Sequence, residues 1–201
     1  MIKNIIFDFG DVFINLDKQA VFRQLKKFGG EKIVSPEMIA LNNAFEIGAM
    51  TTESFIDGMS SLIPAMDSEE LVRIWNSMLL DFPDERLQFI ENLANEGTYR
   101  LFLLSNTNAL HIPHVEKIIG SEKFQRFKNA FEQFYLSHEI KMRKPNAEIY
   151  RFVLDENRLN AQETFFIDDT KENVEAAEKL GIKCWHLNVG QDDIVELKDK
   201  L

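Results

Sequence analysis

The chain is poor in basic residues: 23 Lys and Arg stand against 33 Asp and Glu, a formal net charge of −10. A surplus of that sign opposes a phosphodiester backbone or an anionic bilayer. Nucleic-acid and membrane partners are therefore not expected, and a small anionic substrate must find its positive charge locally. Cysteine occurs once, as Cys184, so an intramolecular disulfide is excluded. The N-terminus has no apolar stretch long enough for a signal peptide or membrane span, which leads to the expectation of a cytoplasmic protein. Repeats and low-complexity tracts are absent as well. What remains is an ordinary globular chain of 201 residues, 45% hydrophobic and 28% charged, long enough to bury a substantial core in one domain with at most a modest insertion. Its oligomeric state cannot be read.

The stretch that organises the rest is Ile5-Ile6-Phe7-Asp8-Phe9-Gly10-Asp11-Val12. Ile5, Ile6 and Phe7 are apolar on both faces, as a central strand of a covered parallel sheet must be. Asp8 follows at the carboxyl end of that strand, where open α/β sheets place their chemistry. Residues 17–82 lack a convincing buried strand and read as a helical insertion. Val21, Phe22, Leu25 and Phe28 mark a first helix ended by Gly29-Gly30, and Ser35-Pro36 opens a second. Thr52 is expected to cap a third, and Asp67 with Glu70 to form a capping box for a fourth. These helices suit a small bundle.

From Pro83 helices and strands alternate. Strands are expected at residues 101–104, 131–136, 164–167 and 182–187, with helices opening at Pro83, over 109–119, over 146–157 and through Val174 to Leu180, and a short surface helix from Gln191. The alternation predicts an α/β fold, a Rossmann-like parallel sheet with helices on both faces. Its core comprises residues 1–16 and 83–201, with the helical cap of 17–82 inserted after the first strand.

Asp8, Ser105, Lys144 and the pair Asp168 and Asp169 all fall at or near strand ends. Carboxylates with a serine and a lysine suit phosphoryl transfer: hard oxygens hold magnesium, metal and lysine neutralise phosphate, and a carboxylate can attack phosphorus. In order, Phe7-Asp8-Phe9-Gly10-Asp11-Val12, Leu104-Ser105-Asn106-Thr107-Asn108, Arg143-Lys144-Pro145 and Phe166-Ile167-Asp168-Asp169 with Asn173 resemble the haloacid dehalogenase-like hydrolase superfamily. Within it, they look most like small bacterial sugar-phosphate phosphatases of the α-D-glucose-1-phosphate phosphatase type.

The resemblance implies a Rossmann-like core with an inserted helical cap. It makes Asp8 the nucleophile that forms an aspartyl-phosphate. Asp8, the backbone carbonyl of Gly10, Asp169 and Asp168 become the magnesium site, with Asn173 in support. Ser105, Asn106 and Lys144 hold the phosphate of a small phosphate monoester, a sugar phosphate first among the candidates. One position departs from the pattern. The second Asp expected two residues after the nucleophile, as general acid and base, is Gly10, with an acid displaced to Asp11. Three readings follow: a phosphatase whose proton transfer comes from Asp11, the cap or water; a haloacid dehalogenase; or a phosphoester-binding protein with little turnover. The first is preferred, because a dehalogenase leaves the Asp168-Asp169 pair without a purpose. A positive φ at Gly10 would resist a side chain there.

Other features have simpler readings. His111 and His114 are expected to form a helix-surface pair, His138 and His186 to be structural, and Cys184 to be a small buried hydrophobe. Phe45-Glu46-Ile47-Gly48, at a helix break in the cap, reads by default as a simple interhelical turn, with a specificity role over the site as the alternative.

Overall fold

The computed structural model describes residues 1–29 and 35–201. Its centre is a five-stranded, all-parallel sheet in the order β3-β2-β1-β4-β5. The strands are β1 (Asn4–Phe7), β2 (Arg100–Ser105), β3 (Gln133–Leu136), β4 (Thr164–Asp168) and β5 (Lys183–His186). β1 pairs with β2 on one side, Ile5 opposite Leu101, and with β4 on the other, Ile5 opposite Phe165. The chain therefore winds outward from β1 to β3 and returns to β4, which makes the carboxyl ends of β1 and β4 the switch point where a ligand can enter between diverging loops.

Strand side chains alternate between faces. Ile5, Phe7, Leu101, Leu103, Phe165 and Ile167 point into one core, under α5 (Asp84–Glu96), α6 (His111–Ile119) and α7 (Ser121–Asn129). Ile6, Phe102, Leu104 and Phe166 point into the other, against Ile149, Tyr150 and Val153 of α9 (Ala147–Glu156) and Ala177 of α10 (Lys171–Glu178). The first core is rich in aromatic edges: Phe13 meets Phe127 with ring centroids 4.9 Å apart and Phe7 at 5.5 Å. Each buried ring is worth about 1.5–3 kcal/mol of transfer free energy, so this cluster fixes the loop from Phe9 to Phe13 that follows Asp8.

Between β1 and α5 lie α1 (Ala20–Gly29), α2 (Pro36–Glu46), α3 (Thr52–Leu62) and α4 (Ser68–Asn76), packed around a separate apolar cluster. Phe45 stacks on Phe55 at 4.2 Å in its middle. Ser35 caps α2 with Pro36 at its start, and Asp67 caps α4 through Glu70 N. The capping box is half formed, because Glu70 turns its carboxylate to Arg73 instead. The cap of α3 is Thr51, not Thr52: its hydroxyl accepts from Ser54 N, three residues on, as N-cap geometry requires. Gly30, expected to share in ending α1, lies outside the described residues.

Gly97 closes α5 in the left-handed region, and Pro83 precedes its first turn. β3 is shorter than expected, since Phe131 leaves the strand path to join the aromatic core. Two helices were not anticipated: α7, and the four-residue α8 (Ser137–Ile140) directly after β3. The tail forms a 3-10 helix, Ile194–Asp199, whose Ile194 and Leu197 are buried, so it closes a core and is not merely a surface segment. Among the described residues no helix is long and apolar enough to cross a membrane.

Candidate active site

β1 and β4 run side by side, and Asp8 N donates to Ile167 O at 2.9 Å, so the strand ends bring Asp8 beside Asp168. Between the two acids stands Lys144, 1% exposed, its Nζ 2.7 Å from Asp8 Oδ1 and 2.6 Å from Asp168 Oδ2. Lys144 comes from the loop between α8 and α9, which a side-chain clasp holds in place. Asn106 Oδ1 accepts from Lys144 N at 2.9 Å, while Asn106 Nδ2 donates to Lys144 O at 2.9 Å. A second clasp, between the Ser137 hydroxyl and both backbone groups of Thr107, fixes the loop after β2. Ser105 is buried at the end of β2, and Asn106 beside it faces the cavity.

Asp168 is fully buried and fully engaged: Oδ1 accepts from Thr170 N at 2.8 Å and Asn173 Nδ2 at 3.0 Å, and Oδ2 accepts from Asn173 Nδ2 at 3.0 Å besides Lys144. Tyr150 in turn donates to Asn173 O at 2.8 Å and anchors the start of α10. Asp169 turns the other way and ion-pairs with Lys18, whose Nζ is also 3.0 Å from Asp11 Oδ2. Carboxylate oxygens of Asp8, Asp168 and Asp169 lie within 4.8 Å of one another, a set of hard donors that suits a divalent cation.

The electrostatics follow from this crowding. Burial, with Asp168 and Asp169 nearby, pushes the Asp8 carboxyl up to about 7 against the pull of Lys144. Burial alone would lower Lys144, but the flanking Asp168 and Asp8 hold it above its ordinary value, so it stays a cation. Burial also raises Asp169, against the pull of Lys18. Two of the three acids thus keep an unmet demand for positive charge.

Asp8, Gly10, Asn106, Lys144, Asp169 and Asn173 line one cavity of about 420 Å³ together with Leu16, Lys18, Glu46, Arg143, Thr170 and Glu172. Gly10 is not in the left-handed region. Asp11 is, with φ 55°, so the expected strain sits one residue later. What opposes a side chain at Gly10 is Leu16, whose Cδ1 would lie 2.7 Å from an added Cβ. Asp11 uses Oδ1 to accept from Leu16 N at 2.9 Å and Oδ2 to pair with Lys18, so both of its oxygens are occupied.

The cap turn does reach the cavity, through Glu46. His111 is not on the surface: it turns inward, with Nε2 3.3 Å from Trp75 O and Nδ1 3.2 Å from Asn108 Nδ2, and burial pushes its pKa down to about 4. His114 lies half-buried on the same helix, and Cys184 is half-buried with its thiol pushed up to about 12 by burial. His186 Nε2 lies 3.0 Å from Asp169 O and supports that backbone. Lys18, Glu46, Arg143 and the Asn106 clasp were not singled out for these contacts. Apart from Asp11, close to Lys18 in sequence, their partners lie 38 to 151 residues away, and the local hints were Arg143 beside Lys144 and Glu46 within the cap turn.

Fold and cavity together define a doubly wound α/β protein that gathers acids and a buried lysine at the switch point of its sheet. Residues 5–187 match the profile of the haloacid dehalogenase-like hydrolases, and the chain belongs to that family. It is 25% identical over 197 residues to a D-ribitol-5-phosphate phosphatase of Bacteroides thetaiotaomicron, covering 96% of this chain and 95% of that protein. Its structure is similar to a family enzyme of Bacteroides thetaiotaomicron solved in complex with magnesium and inorganic phosphate, with TM-score 0.81 and 34% identity over 96% of this chain and 97% of that one. A family hydrolase of Porphyromonas gingivalis gives TM-score 0.81 at 29% identity, covering 100% and 98% of the two chains.

Proposed function

We propose that the protein is a magnesium-dependent phosphatase of small phosphate monoesters, sugar or polyol phosphates foremost, acting through an aspartyl-phosphate on Asp8. The observation that carries this reading is the ion pair of Asp8 with the buried Lys144 at the switch point, beside further acids that call for a cation. Residues 17–82 act as a cap over a core of residues 1–16 and 83–201.

Asp8, the Gly10 carbonyl and Asp169 would hold magnesium, which supplies charge neutralisation for the nucleophile and the transferring phosphoryl group. Lys144 Nζ holds Asp8 Oδ1 and offsets charge on a phosphate oxygen, with Ser105 and the amide of Asn106 as further phosphate contacts. Asp8 Oδ2 forms the new bond to phosphorus as the P–O ester bond breaks, and the leaving oxygen takes its proton from water. Water then attacks the aspartyl-phosphate, restoring the carboxylate and releasing inorganic phosphate. With hydrogen at Gly10 and Leu16 above it, the leaving oxygen meets no side-chain acid from that position.

The test is a screen of phosphate monoesters, with halogenated acids in parallel, before and after chelation. Phosphate release that requires magnesium is expected. Turnover unchanged in the demonstrably metal-free protein, or halide release without phosphate release, overturns the reading.

A further inference from the structure

Resting on the phosphatase reading, we infer that Glu46 and Arg143 form a leaving-group subsite that accepts uncharged, hydroxyl-bearing phosphate esters and rejects those carrying a second anion. Glu46 ends α2 in the cap, and Arg143 precedes Lys144 in the core, yet both line the cavity of Asp8 and Asp169. Arg143 Nη2 is 3.0 Å from Glu46 Oε2, and Arg143 Nη1 donates to Asn43 Oδ1. The turn after α2 is pinned to the core by backbone: Gly48 has φ +60°, and a Cβ there would lie 2.0 Å from His138 O. The carboxylate therefore has a fixed place relative to the phosphate site and does not ride on a free loop.

The pair is in charge contact but incompletely satisfied. Glu46 Oε2 and Arg143 Nε are buried atoms that make no hydrogen bond, and burial holds the Glu46 carboxyl above its usual range despite Arg143. Glu46 Oε2, held only by its charge contact with Arg143 Nη2, can still accept a hydrogen bond and Arg143 Nε can still donate one, which together match a hydroxyl. They do not match a second phosphate or a carboxylate. Among the described residues, each cation lining the cavity already faces acids: Lys18 faces Asp11 and Asp169, Lys144 faces Asp8 and Asp168, and Arg143 faces Glu46. A second anion on the leaving group would meet Glu46 without a spare cation, and that repulsion enforces selectivity.

Glycerol 3-phosphate and 3-phosphoglycerate test this directly, since they share a carbon skeleton and differ by a hydroxymethyl in place of a carboxylate. Two ratios are read: kcat/KM in the magnesium-loaded enzyme, and Kd by calorimetry in magnesium-loaded Asp8→Asn, where turnover plays no part. Wild type is expected to favour glycerol 3-phosphate about tenfold or more in both. Glu46→Gln keeps the shape, removes the charge and frees Arg143, so it should shrink both ratios about tenfold, chiefly by lowering KM and Kd for 3-phosphoglycerate. Arg143→Gln should instead raise KM for both substrates. Thermal melting screens each variant for folding, with Glu46→Ala as the second variant.

If wild type shows no preference, or folded Glu46→Gln and Glu46→Ala keep the wild-type ratios, the inference is overturned while the phosphatase reading stands. If the Kd ratios behave as expected but wild type hydrolyses neither any phosphate monoester nor the acyl phosphate acetyl phosphate, the phosphatase reading fails and the subsite stands.

Discussion

Replacing Gly10 with Asp tests the account of proton transfer. The usual acid position carries no side chain here, and Asp11 is committed to Leu16 N and Lys18. With Glu46 of the leaving-group subsite tied to Arg143, the leaving oxygen is expected to draw its proton from water, and wild-type kcat/KM should fall steeply from aryl to alkyl phosphates as leaving-group pKa rises. The backbone at Gly10 is outside the left-handed region, so Asp is conformationally acceptable, but its Cβ would approach Leu16 Cδ1 to 2.7 Å. The obstacle is the end of a flexible, half-buried side chain. If Leu16 cannot turn aside, overpacking costs about 1–3 kcal/mol. Gly10→Asp alone should thus melt at lower temperature than wild type, and adding Leu16→Ala should relieve the clash at the expense of some packing. In the double variant a positioned carboxyl should raise alkyl-phosphate turnover by about 10²–10⁴-fold, leave aryl-phosphate turnover little changed and flatten the dependence on leaving-group pKa. The assay is a steady-state series over aryl and alkyl phosphates at constant magnesium. If wild type shows no such dependence while Asp11→Asn is inactive toward both classes, Asp11 has taken over proton transfer and the reasoning is refuted. Unchanged melting of Gly10→Asp would refute the steric part separately.

Three further outcomes are expected. Asp8→Asn should lose single-turnover phosphate release yet melt no lower than wild type in metal-free buffer at pH 8, because the acid it neutralises is already pushed up to about 7 by burial. Lys144→Met leaves Asp8 and Asp168 buried without their shared cation and should cost about 3–5 kcal/mol in urea unfolding at pH 8, with part regained when Asp8→Asn is added. His111, pushed down to about 4 by burial from its ordinary 6.5, binds its proton less readily folded than unfolded; its share of stability is full above pH 6.5, falls by up to about 3 kcal/mol as pH drops toward 4 and then levels off, so His111→Asn should flatten that limb of melting temperature against pH relative to wild type.

The sheet was legible because its strands are buried on both faces. Ile5-Ile6-Phe7, Leu101 to Leu104 and Phe165 to Ile167 carry apolar runs too short for helices, and such runs need cover on both sides. Asp8 and Asp168 were legible for the same reason, since polar residues ending such runs must emerge at the strand tips. α7 was missed because Ser121 to Asn129 is largely polar, with only Phe124 and Phe127 marking an inward face. Glu46 could be read only as part of a turn near the site, and Lys18 and Leu16 not at all as site residues, because their position in the cavity depends on where the segment after β1 comes to rest. His111 was misread for the same reason: its spacing to His114 defines a helix face, but only the docking of α4, through Trp75 O, decides whether that face is covered.

The acids of the cavity differ in how many lone pairs the protein already satisfies, and that difference divides their tasks. Each oxygen of Asp168 accepts two hydrogen bonds, from Thr170 N, Lys144 and the Asn173 amide, so a cation would compete with these contacts for its lone pairs. Asp8 and Asp169 face the cavity instead, each tied to a lysine through one oxygen. In the proposed reaction Asp168 holds Lys144 against Asp8, while Asp8 and Asp169 are the acids of the set that line the cavity. Lys144 could not do this work alone. A lysine with four rotatable bonds gives up much side-chain freedom when fixed, about 1.5–2 kcal/mol. Asp168, the Asn106 clasp on its backbone and the face of Phe166, 5.4 Å from Nζ, together offset that loss. The polar clasps are thus as much a part of the proposed phosphate site as the residues that face it: loosening any of them would let the ammonium drift and leave Asp8 both desolvated and unpaired.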